Sequence, residues 1–213
     1  VAERYHDVIG RLRLAYDRGA ADRDGRVKEP WKLAERASFL RRLQDESCRR
    51  LLEVGAGTGQ DGAFFLENGL AVVATDLSAE MVARCRAKGL DAFVMDFLHL
   101  DFPPGSFDAA YAMNCLLHVP DADLPAVLRA VRAALRPGGL FFLGVYGGRD
   151  EEQSFPDDSH DPPRFFAFRS DERIQRFARE SFEIVDFHAV EPRGWRFQSL
   201  TLRRPGAPAA AAG

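Results

Sequence analysis

Apolar positions in residues 1–47 recur at steps of three and four, first as Val8, Ile9 and Leu12, then as Leu33, Ala37, Leu40 and Leu43. Positions so spaced share one helical face, so the pattern predicts two helices, with the polar stretch 17–30 read as a mobile connector. From Arg50 the pattern changes to short apolar runs at 51–54, 71–75, 92–95, 107–113 and 140–145, separated by helical segments near 59–68, 79–88 and 121–136. Strands alternating with helices build βαβ units around a parallel sheet, and an α/β fold is expected.

Beyond Gly147 and Gly148 the chain turns polar and carries prolines over 149–164, which predicts a long surface loop within a lid segment, 149–170. A helix is expected over 171–179, and two strands over 182–190 and 195–202, joined by Pro192-Arg193-Gly194. The expected division is a helical cap or lid at 1–47, a core at 48–204 and a disordered Pro/Ala/Gly-rich tail at 205–213.

At 213 residues with 46% hydrophobic positions the chain is one domain long and able to bury a core. Lys+Arg 29 against Asp+Glu 32 leaves a net charge of -3, which does not supply the positive field that phosphate backbones attract, so no nucleic-acid partner is expected. Cys48, Cys85 and Cys115 are odd in number and lack metal-site spacing, which argues against disulfides and zinc and for a reducing, cytoplasmic setting. No run approaches the length of a membrane span, so no membrane partner is expected.

The segment carrying most chemistry is Leu51-Leu52-Glu53-Val54-Gly55-Ala56-Gly57-Thr58-Gly59-Gln60-Asp61, a buried strand entering a glycine turn and then a helix. Such a turn lets a ligand approach the backbone at a helix start. The pattern is GxGxG, with Gln60 where a dinucleotide fingerprint has glycine, so a nicotinamide-dependent oxidoreductase is disfavoured. Asp76 closes the second strand, where a carboxylate reaches ribose hydroxyls, and Asp96-Phe97 closes the third, where an acid and a ring suit adenine. The fourth strand ends in Met113-Asn114-Cys115-Leu116-Leu117-His118, and Leu135-Arg136-Pro137-Gly138-Gly139 precedes the fifth.

With these motifs in this order, residues 50–145 resemble the class I S-adenosylmethionine-dependent methyltransferases of the small-molecule type. The resemblance implies a three-layer, Rossmann-like sheet of seven mostly parallel strands, order 3-2-1-4-5-7-6 with the seventh antiparallel. It implies S-adenosylmethionine as cofactor and S-adenosylhomocysteine as product. Glu53, Gly55, Gly57, Thr58, Gly59 and Asp61 would hold the methionyl part, Asp76 the ribose, and Asp96 and Phe97 the adenine, with Leu77 and Met81 packing near the adenosine. Asn114, with Cys115 beside it, would lie at the methionyl part or sulfonium, and Tyr16-Asp17 and Trp31 would close over the cofactor.

His118 is a candidate general base, its ordinary pKa lying near neutrality, and His160 a second candidate, on the lid segment and expected in solvent. Asp157, Asp158 and Asp161 beside His160 are read as solvated loop acids, with no metal expected. Tyr146, Phe155, Phe165, Phe166, Phe168 and Trp195 are divided between lining an acceptor pocket and packing the core. The expected function is methyl transfer to an O or N atom of a small-molecule acceptor, by a monomer or homodimer. An S-adenosylmethionine-binding protein or a non-methylating catalyst on the same fold is the alternative, because fold alone does not fix function.

Overall fold

The computed structural model of the chain describes residues 3–206. Seven strands form one sheet in the order β3-β2-β1-β4-β5-β9-β8. They are β1 (Arg50–Val54), β2 (Ala71–Asp76), β3 (Asp91–Val94), β4 (Phe107–Met113), β5 (Leu135–Gly147), β8 (Glu183–Val190) and β9 (Arg196–Arg203). The first five run parallel, and β9 is antiparallel to both neighbours. This is the expected order, since a small two-stranded sheet, β6 (Glu151–Ser154) with β7 (Phe165–Phe168), intervenes in the chain and takes no place in the main one.

The period of two along each strand sorts its side chains between two layers. Leu52, Val73, Ala110 and Phe141 face a core shared with α1 (Tyr5–Asp24), α5 (Leu124–Ala134) and α6 (Asp171–Arg179). Their neighbours Leu51, Val72, Ala109 and Phe142 face a second core with α2 (Pro30–Asp45), α3 (Gln60–Glu67) and α4 (Ala79–Ala87). Burial on both faces explains why these strands read as continuous apolar runs.

Three expectations change. Leu135-Arg136-Pro137-Gly138-Gly139, expected to precede the fifth strand, lies within β5, because α5 ends at Ala134. The polar stretch 17–30 is not one connector, because α1 continues to Asp24 and only residues 25–29 link it to α2. Ala15 and Ala20 are buried on its inner face while Arg18 and Asp22 carry the outer one. The surface loop 149–164 contains β6, whose sequence Glu151-Glu152-Gln153-Ser154 has no apolar alternation and is ordered by pairing with the phenylalanines of β7. Of the tail, only Pro205 and Gly206 fall within the described residues. Among the described residues no helix is long and apolar enough to cross a membrane.

Candidate active site

The carboxyl ends of β1, β2 and β4 make the floor of a trough, where open α/β sheets place their ligands. The chain leaves β1 through Gly55 (φ +66°) and Gly57 (φ +56°), left-handed positions that side chains rarely adopt. A Cβ on Gly55 would lie 2.5 Å from Cys115 Cβ, and one on Gly57 would lie 3.5 Å from Arg23 Nε. The turn is fixed by Asp76, whose Oδ2 accepts from Gly57 N at 2.8 Å and whose Oδ1 accepts from Ser78 N at 2.9 Å. Burial pushes the Asp76 carboxyl up to about 6 against the opposing pull of those two N–H groups.

Three cavities lie along this edge. A central one of about 40 Å³ is bounded by Gly55, Asp76, Phe97, Asn114, Cys115 and His118. It shares Gly55, Gly57, Arg23 and Asn114 with a cavity of about 530 Å³ over the glycine turn, into which Glu53, Thr58 and Asp61 also face. On the other side Leu77 separates it from a groove of about 480 Å³ at the ends of β2 and β3, lined by Asp96 and His99. Helix α1 roofs the row with Tyr5, Leu12, Tyr16 and Arg23 over the centre and Ile9 and Arg13 over the groove. Tyr5 stacks on Phe97 with centroids 5.8 Å apart and is almost wholly buried, which pinches the central cavity. Asp17 holds the roof down by accepting from Ser78 Oγ at 2.5 Å.

Thirteen of the residues singled out in the sequence border these three cavities: Tyr16, Glu53, Gly55, Gly57, Thr58, Asp61, Asp76, Leu77, Asp96, Phe97, Asn114, Cys115 and His118. Asp17, Trp31, Gly59, Met81 and His160 do not. Trp31 packs on Phe197, centroids 4.6 Å apart, because Pro30 starts α2 and turns the indole toward β9. Met81 is buried in the core contact of α4, and Gly59 is the N-cap of α3, close-packed on Leu90 and Cys85. His160 lines an outer pocket of about 210 Å³ with Arg18 and Arg26. It is not in solvent: its side chain is 12% exposed and its ring meets Tyr16 edge-on at 5.8 Å. Asp96 faces the groove with its carboxylate occupied by Leu98 N and the His99 ring. The six aromatics at 146–195 border none of the four cavities; Phe155, Phe166, Phe168, Trp195 and Tyr146 form a chain of ring contacts among themselves.

His118 departs from the expected near-neutral base. Burial pushes its pKa down to about 3, so the ring is neutral. Its Nδ1 lies 2.6 Å from the Phe165 carbonyl and must donate there, which leaves Nε2 to accept from the Tyr16 hydroxyl at 2.5 Å. Arg164 also donates to the Tyr16 oxygen at 3.3 Å. Asp158 holds Arg164 at 2.7 Å; burial raises the Asp158 carboxyl, but the Arg164 hydrogen bonds outweigh it and bring the value to about 2. Of the loop acids only Asp158 is drawn into the structure; Asp161 pairs with Arg18 at 2.6 Å but stays exposed, and Asp157 is exposed.

The sequence reading missed Tyr5, Leu12, Arg23 and Lys28. Arg23 and Lys28 stand in the stretch passed over as a connector, and only α1 lying across the strand ends brings them to the site. Lys28 donates to Asp61 at 2.5 Å, with Arg36 on the other carboxylate oxygen at 3.0 Å.

The fit of a cofactor is tested by what the floor leaves unused. Glu53 Oε2 and Asn114 Oδ1 are buried without a hydrogen-bond partner, both at the cavity over the glycine turn. Buried polar atoms of this kind are uncommon and fit a ligand that donates hydrogen bonds. Burial, with Asp61 adding, raises the Glu53 pKa well above the usual carboxylate range.

Residues 51–139 match the family model described as a methyltransferase domain. The matched stretch runs from β1 into β5 and holds the glycine turn and the ends of β2, β3 and β4. A ubiquinone biosynthesis O-methyltransferase of Xanthomonas oryzae pv. oryzae is 34% identical over 117 residues, 52% of this chain and 48% of the relative. Methyltransferase GfsG of Streptomyces halstedii is 32% identical over 107 residues, 46% of this chain and 38% of the relative. The chain thus spans less than half the length of these curated relatives. A solved structure of Burkholderia thailandensis 1,6-didemethyltoxoflavin-N1-methyltransferase, with its acceptor and S-adenosylhomocysteine bound, is 25% identical with TM-score 0.78, covering 96% of this chain and 92% of that one. The residues that match the family model include the glycine turn, Asp76, Asp96 and Asn114.

Proposed function

We propose that the chain transfers a methyl group from S-adenosylmethionine to an O or N atom of a small-molecule acceptor. The observation that carries this is the hydrogen bond joining Asp76 to the glycine turn, at the centre of a trough whose floor holds the partnerless Glu53 Oε2 and Asn114 Oδ1. The small size of the acceptor is supported by the relative that methylates 1,6-didemethyltoxoflavin.

S-adenosylmethionine, when bound, supplies a methyl group already activated by the sulfonium, so the protein's share is positioning and proton management. Gly55 and Gly57 leave the backbone open to the methionyl part. Arg23, whose Nε lies over Gly57 and which has no ion-pair partner among the described residues, would take the methionyl carboxylate, and Glu53 would accept from its ammonium. Asp76 would accept from the ribose hydroxyls, and the Leu77 and Asp96 groove would receive the adenine. The central cavity is far smaller than a nucleoside, so α1 with Tyr5 moves aside when the cofactor enters. Tyr16 lines the central cavity with Asn114 and His118, and its hydroxyl, which donates to the neutral Nε2 of His118 and accepts from Arg164, would orient an acceptor there.

Calorimetry with S-adenosylhomocysteine tests the cofactor half without knowledge of the acceptor. Saturable binding, weakened in Asp76→Ala, is expected; absence of binding to folded protein would sink the proposal. Recovery of labelled methyl in a product separates a methyltransferase from a catalyst that keeps the cofactor intact.

A further inference from the structure

The cavity over the glycine turn, at about 530 Å³, has the size of a whole ligand pocket, about 300–1,000 Å³, although only the methionyl end of a cofactor would lie there. We infer that its outer part receives the oxyanion of the acceptor, a small molecule bearing a carboxylate or phosphate, on Arg26 and Lys32 with Arg193 at the rim. This rests on the methyltransferase reading and names the acceptor class of that same site.

Charge is the first argument. Five cations line the cavity, Arg23, Arg26, Lys28, Lys32 and Arg193, against Glu29, Glu53 and Asp61. Burial, with Asp61 adding, raises the Glu53 pKa and so disfavours its negative charge. Asp61 is shared between Lys28 and Arg36. Glu29 is shared between Lys32 at 3.3 Å and Arg193 at 3.5 Å, and Arg26 has no ion-pair partner among the described residues. The cofactor, with a sulfonium and an ammonium against one carboxylate, adds positive charge to this surplus. Like charges this close fall within a Debye length, about 8 Å at physiological salt, and an anionic acceptor relieves them.

The lining is the second argument. The aromatic side chains singled out at 146–195 contact one another and do not line the cavity, whose lining is mainly charged and polar, with Val27 and Met113 among it. Lys32 is held over Trp31, 5.1 Å from the ring centroid, and 5.8 Å from that of Tyr146, so its ammonium is placed by packing. Burial, with Lys28 and Arg23 adding, lowers the Lys32 pKa, the direction a nearby anion would reverse.

The test is calorimetry on the full chain saturated with S-adenosylhomocysteine, titrated separately with phenyl phosphate, benzoate and neutral benzamide. At least one anion is expected to bind while benzamide does not, and the tighter anion tells phosphate from carboxylate. The double variant Arg26→Ala, Lys32→Met is expected to lower anion affinity by about tenfold or more while S-adenosylhomocysteine affinity changes by less than about threefold. Binding of S-adenosylhomocysteine without either anion, equal anion binding by the double variant, or anion binding only to cofactor-free protein would each overturn the inference alone. Failure of S-adenosylhomocysteine to bind the unaltered chain would remove the methyltransferase reading itself, and the inference with it.

Discussion

The floor and the roof of the trough are held by different forces. The floor is strand ends and a turn, tied by the parallel ladders of β1 with β2 and β4 and by backbone bonds such as Ala56 N to the Thr75 carbonyl at 2.9 Å. The roof, α1 with residues 25–29, is attached mainly through side chains: Tyr5, Val8 and Leu12 in the core, with Ser78 to Asp17 at 2.5 Å, Lys88 to Asp24 at 2.6 Å and Lys28 to Asp61 at 2.5 Å. A partly exposed ion pair such as Lys88 with Asp24 is worth about 1 kcal/mol or less, whereas a ladder moves only as a unit. The contrast teaches how a site can keep a fixed geometry for one end of a reaction and still admit a ligand larger than its closed centre.

The comparison breaks most sharply at Gly55. Gly55→Ala places a Cβ at φ +66° against Cys115, and the turn must absorb a clash of about 1–3 kcal/mol on top of the backbone strain. Loss of measurable S-adenosylhomocysteine binding is expected by calorimetry; near-normal affinity would place the cofactor off the turn. Asp76→Ala should weaken the same binding by about 1–3 kcal/mol, the range for charge-assisted hydrogen bonds. On the roof, Arg23→Ala should cost about 1 kcal/mol of cofactor affinity and leave the melting temperature unchanged, since no ion pair is lost. A fall in melting temperature without a fall in affinity would make Arg23 a packing residue.

Acidification sharpens the difference between free and bound states. Asp76 titrates at about 6 in the free protein, above the usual carboxylate range, and ribose hydroxyls need it ionised. S-adenosylhomocysteine affinity should therefore fall as pH drops through about 6, approaching tenfold per pH unit below it. The smallest expected effect lies where α2 is tied to the sheet. Glu35 accepts from Ser199 Oγ at 2.6 Å and meets His188 Nε2 at 3.0 Å. Burial lowers the His188 pKa, but Glu35 and Asp186 outweigh it and the value is raised. Its contribution to stability is thus full below about 6.5, the unfolded value, and lost as pH rises through the higher folded value. Because the imidazole is half exposed, the contribution stays under about 1 kcal/mol after screening. Melting curves of His188→Gln and the unaltered chain should converge as pH rises; a constant gap would remove the ion pair from the account.

How much was legible follows the same division. The strands of the floor were readable because burial on both faces writes itself as continuous apolar runs, and Asp76 and Asn114 because they end such runs. Helix α6 was read to the residue, where Ser170 caps it and Ile174 and Ala178 share one face. The end of α1 was not legible, since the residues beyond Asp17 are polar on the outer face and buried only by small alanines. Nor was β6, which has no apolar pattern of its own and exists through its partner.

By itself the sequence determined the sheet, its order through the family pattern, and the glycine turn, because each depends on neighbours in the chain or on a period along one element. Tertiary structure alone decided which side chains meet across elements: that Arg23 lies over Gly57, that Trp31 leaves the site for Phe197, and that the His118 proton sits on Nδ1 because the Phe165 carbonyl is there to receive it. Those outcomes depend on how a helix lies across strand ends, a geometry set by the packing of whole faces and carried by no single stretch of sequence.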